Sequence, residues 1–310
     1  MPFTPTAHQG TLHHYAPKLV AFEHATNSSS PNTLIWIGGL GDGPLTVKYT
    51  HTLAKALPST WCLIQITLSS SYTGWGTSSL SKDAFEIAQC ITYLQKLRPG
   101  KKIAIMGHST GSQDVMHYLT GPDKEKRPEV HGAILQGGVS DREGLVPVLP
   151  EGIYDSSVKL CKQWIAEGRG DDVLPRDATA DFFGAPVTAR RWLSLCSPDK
   201  DQEDDLFSSD LSHEQIDKTF GSLGKVPLLV LYGEKDEFVP ESVDRGALVK
   251  KWFGVVKGKG GVVDEEFGGI VPGATHNLGG CDQKIVDDLC RRVAGFLGKV
   301  ENGKFEGIKL

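Results

Sequence analysis

No stretch of this 310-residue sequence reaches the roughly 18 consecutive apolar residues that a membrane-spanning helix needs. The opening MPFTPTAHQG has no basic segment followed by an apolar run, so it does not read as a secretory signal. The cysteines Cys62, Cys90, Cys161, Cys196, Cys281 and Cys290 form no CxxC pair. Scattered in this way, they read as core thiols in a reducing compartment rather than disulfides. Asn27-Ser28-Ser29 matches a glycosylation sequon, but without a leader it reads as a polar loop. There is no basic excess: 33 Lys and Arg stand against 38 Asp and Glu, a net charge of −5 that makes nucleic acid an unexpected partner. No G-x-x-x-x-G-K-[ST] loop occurs, and a dinucleotide fingerprint fails because Pro44 stands where the third glycine belongs. No His or carboxylate cluster has metal-ligand spacing, so neither metal nor cofactor is expected. These absences leave a soluble, cytoplasmic protein with no membrane partner as the expectation.

What is present is an alternation of short apolar runs with amphipathic helical patterns. Strands are expected at 34–37, 61–66, 102–106, 130–135, 226–232 and 265–271. Helices are expected at 82–97, where Ala84, Ile87, Ala88, Ile91 and Leu94 recur at three- and four-residue spacing, at 112–119, at 241–253, and around Ile285 to Phe296. That alternation implies an α/β fold with a mostly parallel sheet covered on both faces. The segment 144–223 does not follow it. It carries 15 acidic against 8 basic residues, a net of −7, and reads as a cap inserted into a core made of 1–143 and 224–310. The acidic run Asp199 to Asp205 reads as a solvated loop.

Gly107-His108-Ser109-Thr110-Gly111 matches G-x-S-x-G directly after a strand and at the start of a helix. A serine at such a strand-to-helix turn is exposed as a nucleophile, and side chains at the flanking glycines would clash with neighbouring backbone. Serine needs a base to take its proton. Of the histidines downstream, His213 sits in a polar helical stretch. His276 lies in the loop Gly273 to Leu278 before the last helix, where the order Ser…acid…His expects the base. For the acid, the spacing Gly233-x-x-Asp236-x-x-Val239-Pro240 selects Asp236 over Glu234 and Glu237. Asp141, after the strand that precedes the insertion, is the rival. The glycine cluster Gly38 to Gly43 is either a tight turn or an oxyanion hole, in which the backbone N–H groups of Leu40 and Thr110 meet the developing charge.

With these residues in place the chain resembles an α/β-hydrolase family of fungi and other eukaryotes that includes siderophore esterases acting on fusarinine-type iron chelators. The resemblance rests on 37–43 (IGGLGDG), 69–80 (SSSYTGWGTSSL), 107–114 (GHSTGSQD) and 139–143 (VSDRE), and extends through the acid and base motifs to His276. It implies an α/β-hydrolase fold with an inserted cap and a small-molecule ester substrate, a hydroxamate siderophore cut inside the cell. Tyr72 and Trp75, in the loop after the second strand, either wall the pocket mouth or pack that loop. Alternatives on the same scaffold are a lactonase, a thioesterase, a peptidase and a catalytically silent binding protein.

Overall fold

The computed structural model describes residues 5–26 and 28–305; Asn27 of the sequon lies outside them. Two strands precede the first expected one. β1 (Gly10–Ala16) and β2 (Leu19–His24) form an antiparallel hairpin. They are followed by β3 (Asn32–Ile37), α1 (Tyr49–Ala56), β4 (Trp61–Ile66), α2 (Leu80–Leu97), β5 (Ile103–His108), α3 (Gly111–Thr120) and β6 (Gly132–Gln136). Four helices then intervene: α4 (Asp141–Leu145), α5 (Ile153–Ala166), α6 (Ala189–Cys196) and α7 (His213–Thr219). The chain closes with β7 (Leu228–Gly233), α8 (Arg245–Gly258), β8 (Gly269–Val271) and α9 (Gln283–Glu301).

The eight strands make one sheet in the order β1-β2-β4-β3-β5-β6-β7-β8. It is parallel from β4 to β8, and the hairpin adds antiparallel strands at one edge. The central strands are buried along their length and mostly apolar because both faces are covered. In β3, Ile35 and Ile37 pack with Ile87 of α2, Val115 of α3 and Trp252 of α8, while Leu34 and Trp36 pack with Leu53 of α1 and Phe296 of α9. Each such aliphatic side chain contributes about 1.5–3 kcal/mol by leaving water.

The sequence does not announce the hairpin or α1. β1 is exposed at its first three residues and carries two histidines, and α1 buries only Tyr49, Thr50 and Leu53. Two expected elements are shorter than the pattern suggested. β8 begins at Gly269, not 265, because Asp264 Oδ1 accepts from the backbone N–H groups of Glu266 and Phe267 and folds that stretch into a turn. α8 starts at Arg245, not 241, where Asp244 caps it by accepting from Ala247 N at 2.9 Å.

The insertion between β6 and β7 packs in two parts. Residues from 145 to 196 form their own cluster, with Cys161, Trp192 and Cys196 buried around Trp75. Residues Leu206 to Leu223 join the sheet's own core, where Phe220 stacks on Trp252 at 5.1 Å between ring centres. The acidic run between these parts is solvated at Asp199, Asp201 and Glu203, as expected, but not at its end. Asp204 is buried against Arg191 at 2.6 Å, and Asp205 pairs with Arg142 at 3.0 Å. All six cysteines are free thiols.

Candidate active site

β5 delivers the chain to Ser109, whose φ of +54° reverses it into α3. Only glycine fits on either side. A Cβ at Gly107 would lie 2.1 Å from the Gly111 carbonyl oxygen, and one at Gly111 would lie 2.4 Å from that of Ile37. A non-glycine residue in the left-handed region stores strain of about 1–3 kcal/mol, maintained here by the surrounding backbone. Ser109 N donates to Gln136 O at 2.9 Å, and its own carbonyl accepts from Ser112 N at 2.8 Å.

The imidazole of His276 stands against that serine. Ser109 Oγ lies 2.8 Å from His276 Nε2, and His276 Nδ1 lies 2.8 Å from Asp236 Oδ2. Both His276 and Asp236 are buried. The loop bearing His276 is fixed from several sides: its N–H donates to Glu237 Oε2 at 2.9 Å, its carbonyl accepts from Gln136 Nε2 at 2.9 Å, and the Phe238 ring meets the imidazole edge-on at 4.7 Å. Asp236 in turn accepts from Phe238 N at 3.1 Å through Oδ1. With Nδ1–H directed at a carboxylate, the free lone pair of Nε2 faces the serine hydroxyl, the arrangement that allows proton transfer from it.

The other predicted residues fall in different places. The glycine cluster after β3 comes close to the serine: a Cβ on Gly39 would be 2.6 Å from Ser109 Cβ. Asp42 holds this loop by accepting from Gly39 N at 3.1 Å and from Thr46 Oγ1 at 2.8 Å. Among the described residues, neither Leu40 N–H nor Thr110 N–H donates to any acceptor. Asp141 does not touch the imidazole; its Oδ2 accepts from Gln113 Nε2 at 2.6 Å. His213 is exposed at the start of α7.

A cavity of about 230 Å³ opens over Ser109 and His276. Its walls are apolar: Leu145, Val148, Phe182 and Phe183 from the insertion, and Leu40 and Phe238 from loops at the carboxyl ends of strands. Asp42 and Asp141 supply the acidic groups. Tyr72 and Trp75 do not line it. The Tyr72 ring packs against Gly43, where a Cβ would lie 2.3 Å from its Cζ. Trp75 is buried in the insertion's cluster and touches Phe182 edge-on at 6.1 Å, so it backs the wall instead of forming it. The ring positions expected of these two residues belong to Phe182 and Phe183.

Sequence reasoning also missed the polar scaffold beneath the site. Gln136 Oε1 lies 2.6 Å from His108 Nδ1 and accepts from the Tyr49 hydroxyl at 3.0 Å, which itself accepts from Trp36 Nε1 at 3.0 Å. Burial, reinforced by the neighbouring His276, pushes His108 down to about 3, so it is neutral in the working pH range. It presents no second positive charge beside the imidazole. The available signal was the polar Gln136 ending an otherwise apolar strand.

The sequence matches, over residues 1–298, the family described as protein of unknown function DUF1749. It is 38% identical to a fusarinine C esterase of Aspergillus fumigatus across 93% of this chain and 95% of that protein. It is 39% identical to an esterase of Emericella nidulans across 94% and 93%. A siderophore hydrolase from Aspergillus fumigatus has a solved structure that superposes with a TM-score of 0.85 at 36% identity, covering 96% of this chain and 99% of that one. A thermostable carboxyl esterase from Bacillus coagulans, only 15% identical, shares the fold at a TM-score of 0.62. The architecture is that of the α/β-hydrolases.

Proposed function

The chain belongs to the DUF1749 family, and from that premise we propose that it is a serine esterase that opens siderophore esters through Ser109, His276 and Asp236. One observation carries the proposal: two successive 2.8 Å contacts run from carboxylate to imidazole to hydroxyl beneath an apolar cavity. In the reaction, Ser109 Oγ attacks the ester carbonyl while His276 Nε2 takes its proton. Asp236 holds the imidazole's tautomer and offsets the charge of the imidazolium. The N–H groups of Leu40 and Thr110 receive the tetrahedral oxyanion, and the glycines let the backbone reach it. The imidazolium then protonates the departing alcohol oxygen. Water, deprotonated by the same imidazole, releases the acid from Ser109.

The substrate follows from the relatives. A fusarinine C esterase and a siderophore hydrolase both align along nearly the whole chain, and a hydroxamate siderophore of the fusarinine kind is the ester this reading assigns. The insertion 144–223 serves as the cap that shapes the cavity, and its net −7 favours cationic or neutral over anionic ligands. Six free thiols fit a reducing compartment, so the reaction belongs inside the cell, where opening an imported chelator releases its iron. Fractionation of cells expressing the tagged chain tests the location.

The deciding assay compares kcat/KM for fusarinine C, its triacetylated form and a short p-nitrophenyl ester. Cleavage of at least one siderophore with higher efficiency than the simple ester is expected. Ready cleavage of the simple ester with both siderophores untouched would reduce the function to a general esterase. A fluorophosphonate probe should label Ser109, and an unlabelled protein would make the fold a binding scaffold.

A further inference from the structure

Asp141 has an unusual position among the carboxylates around the insertion. Its neighbours have cations: Asp204 pairs with Arg191 at 2.6 Å, Asp205 with Arg142 at 3.0 Å, and Asp210 with both Arg142 and Lys200. Asp141 has no ion-pair partner among the described residues. One oxygen, Oδ2, accepts from Gln113 Nε2 at 2.6 Å; the other, Oδ1, accepts nothing. The residue lines the same cavity as Ser109, whose walls are mostly phenyl and aliphatic. The Gln113 amide nitrogen is spent on that bond, while its Oε1 is buried without a hydrogen-bond partner.

A carboxyl in that position is costly to ionise. Burial, with the charge of Asp204 adding to it, pushes Asp141 up to about 8, against the opposing pull of Arg191 and the Gln113 bond. The cost arises because the cation that would balance Asp141 is missing from the protein. An ammonium brought in by a ligand would restore the balance and form a charge-assisted hydrogen bond against a mostly apolar wall. Asp42, the other carboxyl on the wall, is not equivalent, since both of its oxygens already hold the glycine loop.

We propose that Asp141 is a specificity-determining residue whose free carboxyl oxygen binds a primary ammonium carried by the substrate within a few bonds of the scissile carbonyl. The short reach follows from the cavity: at about 230 Å³ it holds Ser109 and Asp141 on one small surface. An ester whose amine is acylated has no charge to offer at that point and leaves Asp141 unbalanced. The proposal rests on the esterase reading for its orientation toward a carbonyl, but its test does not depend on turnover.

The test uses Ser109→Ala protein, which cannot complete the reaction, and calorimetric titration with L-phenylalanine ethyl ester and its N-acetyl counterpart. The free amine should bind about 10- to 100-fold more tightly, the range of a hydrogen bond to a charged group. Adding Asp141→Asn, which retains the volume and an acceptor for Gln113, should collapse that ratio to near one. Equal binding of the two esters to Ser109→Ala, or a ratio that survives Asp141→Asn, overturns the proposal. A comparison needing no substitution at Asp141 measures the same two compounds as inhibitors of wild-type p-nitrophenyl acetate hydrolysis; equal inhibition constants also overturn it. If the amine ester binds selectively while wild type cleaves no ester at all, the ammonium site stands and the esterase reading fails.

Discussion

Replacing Asp236 by asparagine separates the two carboxyls that the sequence left in competition. Asp236 Oδ2 lies 2.8 Å from His276 Nδ1, so the forming imidazolium has a full negative charge in contact with it. At 2.8 Å and an effective dielectric near 20, that attraction is about 6 kcal/mol, or about 10⁴ in rate. An asparagine removes the charge and also favours the tautomer with Nε2–H facing Ser109, which cannot accept a proton; in a comparable triad that exchange costs about 10⁴ in kcat. The two routes agree because both describe loss of the same contact. Asp141→Asn, which leaves the imidazole's partners in place, should lose far less on p-nitrophenyl acetate. The assay is kcat for the two variants at one pH, with thermal melts to confirm folding. Equal losses, or the reverse ranking, would refute the assignment of Asp236 as the acid.

Ser109→Ala should lose about 10⁴- to 10⁶-fold in turnover and all fluorophosphonate labelling while melting at or above the wild-type temperature, since it removes the hydroxyl with little change of shape; retention of a few per cent of activity would exclude Ser109 as nucleophile. Gly39→Ala should cripple activity through backbone displacement, its Cβ falling 2.6 Å from Ser109 Cβ; near-normal kcat would mean the loop yields freely. Asp141→Asn should stabilise the ligand-free protein at neutral and alkaline pH. The carboxyl ionises near 4 when unfolded but only near 8 when folded, so wild-type stability falls as pH rises through that window, by at most about 1.4 kcal/mol per unit. The variant's advantage in melting temperature should accordingly be small at pH 4 and largest at pH 8; a difference independent of pH would contradict an unpaired carboxyl that resists ionisation.

The candidate residues that the sequence made legible are those whose position is encoded in local spacing. Ser109 between two glycines, Asp236 in the Gly233-x-x-Asp-x-x-Val239-Pro240 spacing, and His276 before the last helix each sit at the end of a strand pattern, and the sheet brings all three strand ends together. What was not legible depends on contacts between distant segments. Gln136 gives no local sign that its amide will join His108, Tyr49 and the His276 carbonyl. Phe182 and Phe183 sit in an insertion with no strand–helix rhythm, and only the fold shows that they, and not Tyr72 and Trp75, reach the cavity. Asp204, in a run of acids that charge counting assigns to solvent, is buried because Arg191 meets it there. β1 gives little sign of itself because it is the edge strand of the sheet and is exposed at its first three residues.

Arg191 bears on how an ester gains entry. Its guanidinium donates to the Trp75 carbonyl at 3.1 Å and to Asp204 at 2.6 Å, with no path to water. Swinging the whole insertion away from the sheet would carry Asp204 along with Arg191 but pull the guanidinium from the Trp75 carbonyl, at a cost of about 1.5–3 kcal/mol for one hydrogen bond to a charged group. Phe183 is under no such restraint: it is 56% exposed and stands at φ +52° in a short turn with Ala180, Asp181 and Gly184. Exposed side chains rotate in picoseconds to nanoseconds. The rings of Phe182 and Phe183 on the cavity wall are thus the parts of the insertion that can turn aside for an ester without moving its backbone.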